Sequence, residues 1–155
     1  MTEREKQALA NFAGGDNCAQ SVLKAYCGAA GLTEAQASCL AAGFGGGMGR
    51  LRLDCGAFSA AVMLACAMEG PGSDQAGERA RLYARVQRIH QEFVAALGTV
   101  NCAQLLGRPA GAQEPAPEAR TAAYYAARPC ARIIRTACEI IERQLAEREG
   151  NGQPG

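Results

Sequence analysis

The chain has 155 residues, enough for one domain with a core of its own, and 16 Lys and Arg against 15 Asp and Glu leave a net charge of +1. That balance argues against a dedicated nucleic-acid binder, which carries a clear basic excess. With 48% hydrophobic residues, 5% aromatics and no Trp, the core must be built from Ala, Leu, Val, Ile and Met, whose modest size lets helices approach closely.

The opening MTEREKQALANFAGG is charged and lacks an apolar h-region, so a cytoplasmic protein without a signal peptide is expected. Thr2 with Glu5 forms a capping-box pattern, opening a helix that closes at Gly14 and Gly15. Asp16 or Asn17 caps a second helix, running to about Gly28 with Val22, Leu23, Tyr26 and Cys27 at helical spacing. Thr33 with Gln36 starts a third, to about Ala42. GFGGGMGR (43–50) follows as the least helical stretch. Asp54 is expected to cap the apolar helix from Cys55 to about Met68, which is too short to span a bilayer and suits a buried core position.

After the break EGPGS (69–73), Ser73 caps the longest helix, to Leu97, closed by Gly98. Arg79, Arg81, Arg85 and Arg88 give it a polar side, and Leu82, Val86, Ile89, Phe93 and Leu97 an apolar stripe. Asn101 caps a very short helix ending at Gly107. RPAGAQEPAPEAR (108–120) reads as a loop, followed by a short helix at TAAYYAA. Pro129 suits the first position of the last helix, to about Glu147. Strand-type alternation is missing. These signals predict an all-α, single-domain bundle of about five to seven helices with a Gly-rich loop, over residues 1–148, and a disordered tail over 149–155.

Eight cysteines in a reducing compartment are not explained by structural disulfides. Four share a context. Cys18 follows Asn17, Cys55 follows Asp54, Cys102 follows Asn101 and Cys130 follows Pro129, and each is followed by Ala or Gly. Caps and Pro both mark helix starts, so all four are expected in first turns. There, unpaired N–H groups and a partial positive charge favour thiolates and lower their pKa. They also favour an anionic metal–sulfur cluster. The small following residues, Gly56 among them, leave the approach uncrowded. Cys27, Cys39, Cys66 and Cys138 lie inside helices among Ala, Leu, Val or Ile and read as small buried core residues. No CxxC is present, so zinc-finger and ferredoxin-type runs are absent.

NCAQSVL (17–23), GFGGGMGR (43–50), DCGAFSA (54–60), NCAQLLG (101–107) and PCARII (129–134) resemble, in order, the redox-active family with the pattern C…GCAxxG…C…C, often CGAxxG. The resemblance spans residues 17 to about 134. It departs at the last Gly of CGAxxG, which is Ala60 here. It implies that Cys18, Cys55, Cys102 and Cys130 are the characteristic cysteines. A similar domain is associated with an iron–sulfur centre in split-Soret cytochromes. No CxxCH occurs, so no covalent haem is implied.

GFGGGMGR has five glycines in eight residues and ends without the Lys-Ser/Thr of a Walker A. It is expected to wrap tightly beside Cys55, with Gly45, Gly46, Gly47 and Gly49 offering N–H groups to cluster sulfurs or a small anion, and Arg50 adding charge. His90 is the only histidine and reads as an ordinary helical residue; Tyr124 and Tyr125 read as packing beside the site. The leading expectation is an iron–sulfur cluster, [2Fe–2S] or [4Fe–4S], on the four cysteines, for electron transfer or redox sensing. A metal-free thiol–disulfide protein and a binding module with a Cys₄ zinc site stay open as alternatives. A redox partner protein is expected, no nucleic acid and no membrane span, and a homodimer stays open.

Overall fold

The computed structural model describes residues 1–72, 75–111 and 114–152. Its elements are α1 (Glu3–Ala13), α2 (Cys18–Ala25), α3 (Glu34–Ala41), α4 (Gly56–Glu69), α5 (Ala76–Leu97), α6 (Cys102–Leu106), α7 (Ala122–Ala127) and α8 (Cys130–Gly150). The described residues contain no strand beyond one isolated antiparallel bridge, Asp54 to Asn101. The all-α class stands; the described residues hold eight helices against the expected five to seven, with the two short ones, α6 and α7, where the sequence placed them. Among the described residues no helix is long and apolar enough to cross a membrane.

Local signals explain most boundaries. Asn17, rather than Asp16, caps α2. Its side chain accepts from the Gln20 N–H while Gln20 returns a bond to the Asn17 N–H, and Thr33 and Gln36 do the same for α3. Thr2 and Thr121 cap α1 and α7 with single bonds, to the N–H groups of Glu5 and Tyr124. α2 stops at Ala25, and a 3₁₀ turn over Cys27–Ala30 carries the chain on.

Five expectations move. Asp54 does not cap α4: it is engaged in the bridge to Asn101, and Cys55 holds the cap position. Pro129 is the N-cap of α8 rather than its first residue, and α8 runs past Glu147 to Gly150, into the expected tail, whose residues 153–155 lie outside the described ones. Ser73 also lies outside the described residues, and α5 starts at Ala76 with Gln75 at its cap. Arg85 leaves the polar side of α5. It is buried, donating to Glu69 at 2.5 Å and to Gln144 at 3.0 Å, and so ties α4, α5 and α8 together.

α4 is the centre of the bundle. Ala57, Phe58, Ala60, Ala61, Leu64, Ala65 and Met68 are buried against α2, α5 and α8. α8 contributes Ile133, Ile134, Ile140 and Ile141, α5 contributes Ile89 and Phe93, and α2 contributes Val22 and Leu23. Each such aliphatic side chain contributes about 1.5–3 kcal/mol by leaving water. Ala60 is fully buried, so a methyl replaces the family's glycine without opening the contact. Of the four cysteines expected in the core, only Cys138 is fully buried; Cys27 is half-buried, and Cys39 and Cys66 are exposed. α3 and α4 carry apolar residues on their outer faces as well, Cys39 and Leu40 on α3 and Val62, Met63 and Cys66 on α4, so their sequences give little contrast to say which face turns outward.

Candidate functional site

The Gly-rich loop is a left-handed coil. Gly46, Gly47, Met48, Gly49 and Arg50 are consecutive residues with φ of 65, 68, 65, 56 and 66°, and Arg52 follows at 61°. Long-reach turn bonds close it: the Gly49 N–H donates to the Gly43 carbonyl at 2.8 Å and the Leu53 N–H to the Gly47 carbonyl at 2.9 Å. Left-handed backbone costs a residue with a side chain about 1–2 kcal/mol, so Met48, Arg50 and Arg52 hold strain that the surrounding bonds maintain.

Missing side chains let this coil touch its neighbours. A Cβ on Gly45 would lie 2.5 Å from Asn17 Nδ2, and one on Gly47 would lie 2.5 Å from Cys102 Cβ. On Gly56 it would meet the Phe44 carbonyl at 2.8 Å and the Ala19 nitrogen at 3.0 Å. The coil's exit is then stitched to the segment before α6. The Cys55 N–H donates to the Val100 carbonyl at 2.8 Å, and the Cys102 N–H donates to the Leu53 carbonyl at 2.6 Å. This stitching draws Cys55 and Cys102 together from distant parts of the chain.

The result is a cavity of about 570 Å³ lined by Cys18, Cys55, Cys102 and Cys130. Cys18, Cys102 and Cys130 are the first residues of α2, α6 and α8, and Cys55 is the N-cap of α4. Gly45, Gly46, Gly47, Gly49, Arg50 and Gly56 line it as well. The coil offers fewer donors than expected. The N–H groups of Met48 through Leu53 are used within the coil, while those of Gly46 and Gly47 have no partner among the described residues. Among the described residues no three His, Cys, Asp or Glu side chains form a group that could hold a metal ion.

The cysteines differ in their chemistry. Cys18 and Cys130 are hydrogen-bonded to each other. That bond, with the nearby Arg128 and Arg120 charges, lowers Cys130 to about 7 against the pull of burial. The same bond and then burial push Cys18 well above the usual thiol range. Burial drives Cys55 up to about 12, although the amides of Ala57 and Phe58 favour its thiolate. Burial also raises Cys102, moderated by Arg52, whose Nη1 lies 3.9 Å from the Cys102 sulfur. The expected lowering at all four helix starts therefore holds only at Cys130. Removing a thiolate from water outweighs the half-charge of a helix end unless a full cation stands beside it.

Arginines are the site residues that the sequence pattern did not single out. Arg52, Arg120 and Arg128 line the cavity along with Arg50. A signal existed: Arg52 stands three residues before Cys55 and Arg128 two before Cys130. Arg50 acts more on the protein than on the site, donating to the Glu114 carbonyl at 2.7 Å and to the Ala116 carbonyl, and facing Glu118 at 3.6 Å. Tyr124 lines the cavity with the guanidinium groups of Arg120 and Arg128 at 4.7 and 4.4 Å from its ring centroid. Tyr125 instead packs on α1, donating to the Phe12 carbonyl at 3.2 Å. His90 is exposed and edge-on to Phe58, apart from the cysteines.

No curated protein and no solved structure matches the chain. One family model does, over residues 16–144, described as "Putative redox-active protein (C_GCAxxG_C_C)". That span takes in the four cavity cysteines, the glycine coil and the arginines between them. The chain belongs to this C_GCAxxG_C_C redox-active family.

Proposed function

We propose that this protein is a cytoplasmic redox protein that carries an iron–sulfur cluster on Cys18, Cys55, Cys102 and Cys130, for electron transfer or redox sensing. The observation that carries the reading is the convergence of four cysteines, from the starts of four helices, on one cavity of about 570 Å³. Four thiols are the donor set of [2Fe–2S] and [4Fe–4S] centres. Arg52 beside Cys102 and Arg128 beside Cys130 supply positive charge for an anionic group. When bound, the cluster supplies one-electron chemistry. The protein's part is to keep the thiolates oriented at the helix starts, to exclude water by burying three of the four, and to offset negative charge, which raises a reduction potential.

A second reading has its own support in the Cys18–Cys130 hydrogen bond, with Cys130 lowered to about 7. In metal-free protein the Cys130 thiolate attacks one sulfur of a partner's disulfide, and one partner thiolate leaves. Cys18, once deprotonated, then displaces the second, so that the partner gains two electrons and the Cys18–Cys130 disulfide forms.

Anaerobic purification with assays for iron, acid-labile sulfide and zinc separates these readings. Wild type and Cys66→Ala should be brown with equal iron and sulfide, and Cys55→Ala should lose both. Because Cys66 is exposed, its removal should shift stability by less than about 0.5 kcal/mol. A colourless, metal-free protein that forms a reversible Cys18–Cys130 disulfide would replace the cluster reading with the dithiol one. A colourless protein with one zinc per chain would replace it with the zinc module.

A further inference from the structure

The cavity is lined by three arginines, each with one N–H donor that is buried and meets no acceptor, so that a ligand engages it once the guanidinium turns. Arg52 is 2% exposed, and while its Nη1 faces Cys102, its Nε is buried with no partner. Arg128 gives Nη2 to Glu118 at 2.7 Å, and its Nε is buried without a partner. Arg120 lies 5.3 Å from the Phe12 ring centroid and 4.7 Å from that of Tyr124, and its Nη1 is likewise buried and unpartnered. All three line the same cavity. The carboxylate that lines it with them, Glu118, is already shared by Arg128, Arg108 at 2.5 Å and Arg50 at 3.6 Å.

Buried guanidinium N–H groups without acceptors are costly, and a protein keeps them where something else supplies the acceptor. Sulfur is a weak and distant partner, as the 3.9 Å approach of Arg52 to Cys102 shows. Guanidinium forks match the oxygens of carboxylates, phosphates and sulfates, often two at a time. Stacking against Tyr124 confines Arg120 and Arg128 to one wall of the cavity, which limits the side-chain freedom lost on binding.

We propose that Arg52, Arg120 and Arg128 form a receptor for an oxygen-bearing anion inside the cysteine-lined cavity, taking either an inorganic oxoanion or the carboxylate of a small organic acid. The receptor shares the cavity with the four sulfurs and does not require a cluster in it. It places an anionic ligand next to the redox-active thiols. The apolar walls from Phe12, Leu105 and Ile133 leave room for a short carbon chain.

Calorimetric titration of the protein as purified anaerobically, at constant ionic strength in chloride, tests this with phosphate, sulfate and succinate as probes. Saturable binding at one site per chain is expected, at least tenfold weaker in Arg52→Gln and in Arg120→Gln. Arg143→Gln is the control, because Arg143 is exposed and pairs with Glu92 away from the cavity; its affinity should stay within twofold of wild type. Tighter phosphate or sulfate marks an inorganic ligand, and tighter succinate an organic acid. Circular dichroism reports whether the buried Arg52 variant folds. If it does not, the half-buried Arg120→Gln decides the outcome, with Arg120→Lys keeping charge but losing the fork. Absence of saturable binding for all three probes, or equal affinity in Arg120→Gln and Arg143→Gln, overturns the receptor. Iron and sulfide measured on the same samples keep the two ideas apart. An iron-loaded protein that ignores anions removes only the receptor, and an iron-free protein that binds them removes only the cluster.

Discussion

Asn17-Cys18-Ala19-Gln20 and Asn101-Cys102-Ala103-Gln104 are identical in sequence and alike in two bonds: each Asn side chain accepts the N–H of its Gln, at 2.9 and 3.0 Å, and each Asn Nδ2 donates to a remote carbonyl, that of Ala42 at 2.9 Å or, at 3.4 Å, that of Arg52. Beyond those bonds they diverge. Gln20 returns a bond to the Asn17 N–H at 3.2 Å and reaches the Ser38 carbonyl. At the second segment Thr99 intervenes. Its hydroxyl donates to Gln104 at 2.6 Å and accepts from the Asn101 N–H at 3.1 Å, so the reciprocal box does not close. The sulfurs diverge too: Cys18 shares a hydrogen bond with Cys130, and Cys102 faces Arg52. A four-residue motif fixes the first cap bond because donor and acceptor lie within one turn. Everything the motif does next depends on which neighbours the fold brings to it.

The largest expected effect comes from the glycines that wedge each segment. Gly47→Ala should cost about 3 kcal/mol or more, since its Cβ would collide with Cys102 Cβ at 2.5 Å and its φ of 68° strains any side chain. Gly45→Ala should cost less, because that clash is with the movable Asn17 side chain and its φ of −66° suits alanine. Urea denaturation of both variants measures the order; a Gly45 variant weaker than the Gly47 variant would contradict the account of the coil.

Next comes the pH response of the two cysteines in metal-free protein. Cys130 should alkylate half-maximally near pH 7, and Cys102 above the usual thiol range. For Cys130 the folded pKa lies below the unfolded value, so its stabilisation is complete above about pH 9 and is lost as pH falls through 7. Between those limits stability should rise with pH by at most about 1.4 kcal/mol per unit, and Cys130→Ser should abolish the rise. Melting temperature against pH, with mass spectrometry of alkylated peptides, reads both. Equal reactivity of Cys130 and Cys102 at pH 7 would erase the difference between the two settings.

The smallest effect separates the caps. Asn17→Ala should cost toward 2 kcal/mol, because the cap bond and the 2.9 Å bond to the Ala42 carbonyl are both lost, and Asn101→Ala about 1 kcal/mol, because its second bond, to the Arg52 carbonyl, is a long 3.4 Å. On the proposed iron–sulfur reading, Asn101→Ala should also reduce iron content more than Asn17→Ala, since the Asn101 side chain donates to the Arg52 carbonyl in the segment that leads to Cys55. Urea denaturation and iron content of the two variants measure this order, and equal iron loss in both would leave the caps equivalent.

Helix caps and breaks at Thr2, Asn17, Thr33, Asn101 and Gly98 could be read directly, because capping is settled within a few residues. So could the four helix-start cysteines and the glycine coil that line the cavity. The Asp54 cap failed because a bridge to Asn101, far along the chain, took that segment. Arg85 crossed to the buried side because Glu69 and Gln144, from two other helices, were there to receive it. By itself the sequence determined most of the helix starts to within a few residues, which four cysteines stand at or beside such starts, and that a coil of glycines lies between them. Only the tertiary structure decided which thiol is lowered, which arginines stand beside the sulfurs, and that Cys39 and Cys66 face solvent. Those properties depend on burial and on charges from remote segments, and neither desolvation nor Coulomb attraction is written in local spacing.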